Sequence, residues 1–390
     1  MHKAKREGLF WTKFFWSVAI VLFSSVLAIW ITGYTYIYKT LIYTYPDIDD
    51  LSIFQTRMVN EKLPQPWPLA SEYNKKEIPA ETKAALKEFE TVAYVIVRDD
   101  SLVHEEYHDN YSAVSLSNSF SVAKSIVSIL IGIAVEEGKF SLDDKVGTFI
   151  PSYSSTPNDQ LTIRDLLLMS SGLDWDEKYA SLFSKTTEAY YGSDLTEQVS
   201  RLKVIQTPGK KFQYMSCNTV LLSLILSKTT GKTLSEYASE KLWIPLHAEQ
   251  PAYWSLDHSN GEEKAYCCFY SSARDFARIG KLYLDSGKAD GRQIVPLDYV
   301  RQSLTPNELL DETGKKVDYY GYHWWLAKRN GHPMFYARGI LGQYIVVIPD
   351  ERMIIVRLGI KRGTKLGKHY KDMMNYVDGA LNAYGRNKHN

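Results

Sequence analysis

The sequence predicts an α+β domain preceded by one membrane-spanning helix. Strand-like segments occur near both ends of the chain, and helical patterns with turn clusters fill residues 140–260 between them. Strands from both ends with helices between them are typical of one domain whose termini share a sheet. A long uncharged stretch near the N-terminus adds the membrane-spanning element.

The uncharged stretch is predicted to be a transmembrane anchor over residues 14–38. No charge occurs between Lys13 and Lys39, and as a helix this stretch measures about 37 Å, against about 30 Å for a hydrocarbon core. Basic residues precede it and acidic residues follow, so residues 1–13 are expected in the cytoplasm and the domain in the periplasmic or extracellular space. The alternative is a signal peptide cleaved near 26–28, which the apolar and aromatic residues beyond that point disfavour.

Residues 39–80 are predicted to form an extended linker. The segment contains four closely spaced prolines, at positions 64, 66, 68 and 79. Because proline lacks a backbone donor and favours extended conformations, this stretch is expected to space the domain from the membrane. The folded domain is then expected over residues 81–390.

The composition fits an ordinary globular domain, with 45% hydrophobic and 23% charged residues. The 46 basic and 45 acidic side chains give a net charge of +1, so no overall field recruits nucleic acid and no nucleic-acid partner is expected. The three cysteines are Cys217, Cys267 and Cys268. All three are expected to be unpaired, because adjacent cysteines rarely bond to each other.

Local patterns predict the elements of the domain in order. AETKAALKEFE predicts a helix, and VAYVIV and SLVHEEYH predict a hairpin around the turn at 98–100. SVAKSIVSILIGIAV at 121–135 is apolar on nearly every side, which predicts a helix buried in the centre of the domain. YGYHWWLA, YIVVIPD and RMIIVRLG predict late strands, and a last helix is expected from about 368 to 384.

The string from His104 to His108 matches the His-Glu-x-x-His motif of zinc metalloproteases. That motif requires a helix, whereas this string continues the second strand of the predicted hairpin. Residues four apart in a strand are separated by about 13 Å, too far to share one zinc ion. We therefore expect no metal site here.

Ser121 and Lys124 form the strongest candidate for catalytic chemistry. They lie three residues apart at the start of the buried helix, so both face one side, and the helix N-terminus favours an anion beside Ser121. Ser200 and Lys203 have the same spacing but occur in a polar run. A lysine in so apolar a segment needs a functional reason.

Tyr214 is the candidate for a third catalytic member. Serine is a weak nucleophile and needs a base, which a buried lysine of lowered pKa or a tyrosine phenolate near a lysine supplies. Tyr214 follows a Pro-Gly turn and precedes a helical pattern, a place from which a side chain can point into a cleft. Both Lys124 and Tyr214 are candidates for the group that is deprotonated at rest and serves as the base.

Five segments in this order resemble the serine β-lactamase-related hydrolases: FSVAKS, LTIRDLLLMSSGLDW, PGKKFQYMS, SSARDFARIGKLYLDSG and YGYHWWL. That family includes class C β-lactamases, penicillin-binding D,D-peptidases, certain carboxylesterases and 6-aminohexanoate-dimer hydrolases. The resemblance spans residues 85–385 and implies the penicillin-recognising fold, an antiparallel sheet from both chain ends flanked by helices, plus a helical subdomain. It also implies Ser121 as nucleophile, Lys124 as its activating partner and Tyr214 as general acid/base.

Two departures from the family pattern bear on the substrate. Ser216 stands where penicillin-recognising members have the asparagine of Tyr-x-Asn, and Ala337-Arg338-Gly339 stands where they have Lys-Thr-Gly. The resemblance is therefore closest to the esterase and 6-aminohexanoate-dimer hydrolase branch. It implies an oxyanion hole formed by the backbone N–H groups of Ser121 and Ile340.

Further residues are expected to line the substrate pocket: Trp175, Tyr179, Ser216, Trp325, Arg338 and Gly339, with Asp174 and Trp324 as additional candidates. His323 lies beside them in the sequence and is expected to be a packed, hydrogen-bonded imidazole.

The sequence thus predicts a membrane-anchored serine hydrolase that cleaves a small ester or amide outside the cytoplasm through a Ser121 acyl-enzyme. No metal or organic cofactor is expected. The alternatives are D,D-peptidase or β-lactamase activity on cell-wall peptides or β-lactams, and a non-catalytic sensor of such molecules. The oligomeric state is not predicted.

Overall fold

The computed structural model describes residues 2–179 and 181–386. Its helices are α1 (His2–Ile31), α2 (Tyr36–Tyr43), α3 (Ala80–Glu88), α4 (Val122–Glu136), α5 (Val146–Phe149), α6 (Ile163–Leu167), α7 (Lys185–Tyr191), α8 (Leu195–Ser200), α9 (Ser216–Thr230), α10 (Leu234–Ala238), α11 (Ala273–Leu284), α12 (Leu297–Ser303) and α13 (Lys371–Tyr384). Its strands are β1 (Thr56–Val59), β2 (Thr91–Arg98), β3 (Ser101–Tyr107), β4 (Ser117–Asn118), β5 (Ala252–Ser255), β6 (Phe269–Ser271), β7 (Lys288–Ala289), β8 (Arg292–Gln293), β9 (Trp325–Arg329), β10 (His332–Arg338), β11 (Tyr344–Ile348), β12 (Met353–Gly359), β13 (Lys365–Leu366) and β14 (His369–Tyr370).

The main sheet combines strands from both ends of the chain, as predicted. Its order is β3-β2-β12-β11-β10-β9, and every neighbouring pair is antiparallel. The predicted hairpin around residues 98–100 is confirmed as β2 and β3. In the YGYHWWLA segment only the end is strand, because β9 begins at Trp325.

Both faces of this sheet are covered by helices. Along β2, Val95 and Val97 pack into the core on the side of α11, whereas Tyr94 and Ile96 pack into the core on the side of α3 and α13. Side chains in a strand alternate between faces, so a strand buried on both faces reads as a continuous apolar run. The expected α+β architecture, with helices flanking an antiparallel sheet, is confirmed.

Helix α4 lies in the helical part of the domain. The predicted buried helix is confirmed, since the residues from Val122 to Ala134 are all buried. It packs against α9 and against β10, which brings the start of α4 to the edge of the main sheet. A second sheet has the order β1-β5-β6-β4, and its strand β4 directly precedes the turn that leads into α4.

The N-terminal region differs from its prediction in two respects. The first concerns the helix, which ends at Ile31 instead of running to residue 38, because Gly33 adopts φ +77° and breaks it. A separate helix, α2, then packs Tyr36 and Ile37 against the domain. Within α1, residues Gly8–Ile31 are long and apolar enough to cross a membrane.

The second difference corrects the extended linker expected over residues 39–80. This segment belongs to the folded domain: Val59 and Trp67 are buried, and β1 pairs with β5. Proline removes a donor but keeps its carbonyl, and the Pro68 oxygen accepts a hydrogen bond from the Leu102 N–H at 2.8 Å. At Pro68 the segment therefore pairs with β3, the edge strand of the main sheet, and does not extend away from the domain.

The cysteine prediction is wrong for one pair. A disulfide joins Cys267 and Cys268, in a turn where Cys268 adopts φ +62°. Cys217 is a buried thiol in α9, and burial raises its pKa.

Candidate active site

The turn before α4 fixes the position of Ser121. Asn118 accepts a hydrogen bond from the Phe120 N–H at 2.9 Å, and Phe120 adopts φ +45°, an unfavourable conformation for a bulky residue. Such backbone strain persists where the surroundings hold it and is common at functional sites. Ser121 then caps α4, with its side chain at the start of the buried helix.

Lys124 contacts Ser121 directly. Its Nζ lies 2.9 Å from the Ser121 Oγ and donates to the Tyr266 carbonyl at 2.8 Å, while only 1% of the residue is exposed. Burial lowers the pKa of Lys124 to about 8, and the negative charge of Glu177 opposes this shift. A minor fraction of Lys124, about one eleventh at pH 7, is therefore neutral beside the serine hydroxyl.

Tyr214 completes the predicted trio. Its ring centroid lies 5.2 Å from the Lys124 Nζ, and the ring packs beside Tyr320 and Trp325. Burial raises the pKa of Tyr214 well above its ordinary value, and hydrogen bonding with Ser121 offsets only part of that effect. Tyr214 is thus a neutral phenol at rest. Of the two candidates for the resting base, the lowered pKa favours Lys124 and the raised pKa disfavours Tyr214.

The end of β10 approaches the same turn. A Cβ added to Gly339 would lie 2.4 Å from the Ser119 carbonyl oxygen, so this close approach requires glycine. Ile340 follows and begins a short 3-10 turn, while Ser121 caps α4. Backbone N–H groups at such helix starts have no acceptor within their own helix, as an oxyanion hole requires.

Arg357, on β12, braces this turn from below. Its side chain is fully buried and donates to the carbonyls of Leu341 and Gly342, each at 2.9 Å, and to that of Lys361 at 2.9 Å. It also donates to Thr91 Oγ1 at 2.9 Å. The arginine therefore ties the Ile340–Gly342 turn to the main sheet.

A cavity of about 550 Å³ opens at Ser121. Five predicted pocket or oxyanion residues line it: Tyr179, Trp325, Arg338, Gly339 and Ile340. The rim carries charges of both signs, contributed by Glu177, Asp311, Glu312, Arg338, Arg362, Lys365 and Lys368. The Arg338 guanidinium lies 3.4 Å from the Trp325 ring centroid and donates to the Lys368 carbonyl at 2.9 Å.

The remaining predicted pocket residues occupy other positions. Ser216 lines a second, smaller cavity on the other side of Ser121. Trp175 is buried beside the site, with its indole N–H donating to Glu177 at 2.7 Å. The two additional candidates line neither cavity: Asp174 pairs with Lys185, and Trp324 is buried in the core.

Glu177 is a site residue that the sequence did not reveal. Its carboxylate accepts hydrogen bonds from Trp175, from the Tyr179 hydroxyl at 2.7 Å, and from both the backbone and the hydroxyl of Ser216. It thereby links Trp175 and Tyr179, its neighbours in sequence, to Ser216, which lies 39 residues away. The only local signal was its position between two aromatic residues, Trp175 and Tyr179, and nothing in that spacing indicates a shared acceptor.

His323 has the packed position that was expected. Its two ring nitrogens lie 3.1 Å from the Lys124 carbonyl oxygen and 3.3 Å from that of Leu166, and burial lowers the pKa of His323 to about 4. The imidazole is therefore a neutral support beneath α4.

Residues His104 to Tyr107 of the His-Glu-x-x-His string lie on β3, as predicted for their secondary structure, and His108 directly follows the strand. The Glu105 carboxylate forms an ion pair with Arg274 and accepts hydrogen bonds from Tyr73 and Tyr107, each at 2.7 Å. The glutamate is thus engaged in structural contacts.

Comparisons with known proteins agree with this geometry. A family model described as Beta-lactamase matches residues 80–368. A 6-aminohexanoate-dimer hydrolase of Paenarthrobacter ureafaciens is 26% identical over 289 residues, which cover 70% of this chain and 73% of the relative.

Solved structures show the same fold. One from Bacillus anthracis, named "Putative 6-aminohexanoate-dimer hydrolase", has a TM-score of 0.76 at 22% identity and covers 88% of this chain and 93% of its own. A family VIII carboxylesterase has a TM-score of 0.63 at 14% identity, covering 81% and 98%. Because the family model matches well over half of the sequence, the chain belongs to the Beta-lactamase family of serine hydrolases.

Proposed function

We propose that this protein is a membrane-anchored serine hydrolase that cleaves an ester or amide bond through an acyl-enzyme on Ser121. One observation carries the proposal: a buried lysine whose pKa is lowered to about 8 lies 2.9 Å from the Ser121 hydroxyl, at the base of an open cavity. A serine beside a neutral amine is an activated nucleophile. The membrane-crossing length of α1 supports the anchor.

In the proposed reaction, neutral Lys124 accepts the proton of the Ser121 hydroxyl as Oγ bonds to the substrate carbonyl carbon. The N–H groups of Ser121 and Ile340 stabilise the negative oxygen that develops. Collapse of this intermediate breaks the bond to the leaving alcohol or amine, which takes its proton from Tyr214. The Lys124 ammonium returns a proton to Tyr214, and water then hydrolyses the acyl-enzyme in the same manner.

The substitutions beside the nucleophile favour ester or amide hydrolysis over β-lactam recognition. Arg338 stands where the Lys-Thr-Gly motif has its threonine, and its guanidinium packs on the Trp325 ring. Ser216 directs its hydroxyl to Glu177. The likeness to a 6-aminohexanoate-dimer hydrolase supports the same branch.

Intact-mass spectrometry of the full chain in detergent tests the proposal, because residues 39–80 are part of the fold. The protein is incubated with a fluorophosphonate, a β-lactam and a short-chain activated ester. A phosphonate adduct, rapid ester turnover and no lasting β-lactam adduct are expected, and Ser121→Ala should remove both adduct and turnover. Ser200→Ala is the matched control, since Ser200 and Lys203 share the spacing without the cavity.

Two outcomes would contradict the proposal. A stable β-lactam adduct on Ser121 with slow ester turnover would favour D,D-peptidase or β-lactamase chemistry. No adduct on folded protein would favour a non-catalytic sensor.

A further inference from the structure

Helix α2 has two apolar faces. Its inner face packs Tyr36, Ile37 and Thr40 against the domain, whereas Leu41 and Ile42 on its outer side are 63% and 72% exposed. A helix on the surface of a globular domain normally turns polar side chains outward. The outward apolar face of α2 therefore calls for a covering partner.

Neighbouring residues extend this face. Phe183 is 69% exposed, and its ring contacts the Tyr34 ring at 6.1 Å between centroids. Helix α2 packs against α7, which begins two residues after Phe183, so the exposed groups belong to one side of the domain. We name this the α2 surface; it comprises Tyr34, Leu41, Ile42, Tyr45, Leu182 and Phe183.

The α2 surface is continuous with the end of α1. Only four residues separate the two helices, and the Tyr38 hydroxyl donates to the Val26 carbonyl at 2.8 Å, which holds α2 beside the last turns of α1. If α1 crosses a bilayer, α2 lies where the chain leaves it. Apolar and tyrosine side chains at that depth are the composition of an interfacial helix.

A second cavity lies between the α2 segment and Ser121. It has a volume of about 50 Å³, and Thr40, Thr44 and Pro46 of that segment line it. Tyr190 and Tyr191 form part of its wall. This volume is about that of four water-sized spheres, so the cavity has room for a short, narrow chain segment and not for a ring.

Ser121 thus lies between a large cavity with a charged rim and a small cavity that borders the α2 segment. We propose that the α2 surface rests on the lipid bilayer and that the substrate is a membrane-dissolved amphiphile. Its apolar acyl chain enters the small cavity, and its polar leaving group occupies the charged one. This inference rests on the proposed function, because it assigns a substrate class to the same nucleophile.

Quenching by brominated lipids tests the membrane contact without using activity. The full chain is reconstituted in vesicles of phosphatidylcholine and phosphatidylglycerol whose acyl chains carry bromine. A fluorophore is attached at Ile42→Cys, at Phe23→Cys in α1, or at Ile205→Cys as a matched control. Ile205 is 65% exposed but lies outside the α2 surface, and Cys217 is buried.

The labels at residues 23 and 42 are expected to lose about half of their emission or more, and the label at 205 little. Quenching at 23 with none at 42 would overturn this inference and leave the anchor intact. The absence of quenching at both residue 23 and residue 42 would refute the anchor as well. Quenching at 42 alone would support the bilayer contact and refute the spanning helix.

The acyl-chain specificity tests the small cavity. Thr44→Phe adds a ring at the cavity wall, so the ratio of kcat/KM for a long-chain ester to that for the matching acetyl ester should fall about tenfold or more. Thr148→Phe, on exposed α5, should leave this ratio unchanged. An unchanged ratio in folded Thr44→Phe protein would refute the assignment of the small cavity while leaving the proposed ester hydrolysis at Ser121 intact.

Discussion

The pH dependence of hydrolysis tests whether Lys124 is the base. Only the neutral amine accepts the proton of Ser121, and burial lowers the pKa of Lys124 to about 8. With that pKa, the neutral fraction is about one eleventh at pH 7 and about ten elevenths at pH 9. We therefore expect kcat/KM to rise about tenfold between these pH values, with its midpoint near pH 8.

The substitution Glu177→Gln tests the origin of this midpoint. The carboxylate of Glu177 favours the ammonium form and so raises the pKa of Lys124. Its removal should move the midpoint to lower pH. The level of activity is expected to fall too, because Tyr179 and Ser216 lose a charged acceptor, so the midpoint is the diagnostic quantity.

The assay is the initial rate of a short-chain activated ester from pH 6 to pH 10 under kcat/KM conditions. Asp311→Asn is the matched control: it also removes one carboxylate from the cavity, but that carboxylate is paired with Lys368. Its midpoint should equal that of the unmodified protein. A flat profile from pH 6.5 to 9.5, or a shift of Glu177→Gln to higher pH, would refute the assignment of Lys124.

Three further predictions concern other buried groups. Tyr214→Phe should lower kcat by about two to four powers of ten in the same ester assay, because the leaving group loses its acid; unchanged turnover would place the acid elsewhere. Arg357→Met leaves the carbonyls of Leu341 and Gly342 without their donor, so urea unfolding should show that the free energy of unfolding falls by about 2–5 kcal/mol, and kcat should fall; equal stability would contradict the bracing role. Burial lowers the pKa of Lys264 to about 7 from its ordinary value of 10.5, so the unfolded chain binds more protons between these values and stability should rise with pH across that window. In Lys264→Met this rise, at most about 5 kcal/mol, should shrink in urea unfolding followed from pH 7 to pH 10; an unchanged slope would refute it.

Local patterns were sufficient for much of the fold and for the contact between Ser121 and Lys124, the proposed catalytic pair. Ser121 and Lys124 lie one helical turn apart on an apolar helix, so their contact is decided by helix geometry. The strands of the main sheet follow from apolar runs between turn signals. These are short-range properties, which a sequence displays directly.

Long-range contacts explain what the sequence left out. Glu177 gains its importance from Ser216, 39 residues away, and it lies in irregular backbone where no periodicity directs attention to it. The prolines of residues 39–80 suggested a spacer because their missing donors are visible in the sequence. The pairing of the Pro68 carbonyl with Leu102 depends on tertiary structure and is therefore not visible in the sequence.

Two lysines in this fold are equally buried, and comparing them shows what marks a catalytic group. Burial lowers the pKa of Lys124 to about 8 and that of Lys264 to about 7. The Lys264 amine donates to the Ala189 carbonyl and lies 4.9 Å from the Phe54 ring centroid. Lys264 lines neither of the two cavities at Ser121. Lys124 has the same kind of carbonyl contact but also meets a serine hydroxyl at an open cavity. A lowered pKa is therefore common to Lys264 and to Lys124, the proposed base, and the neighbouring serine hydroxyl at an open cavity distinguishes Lys124.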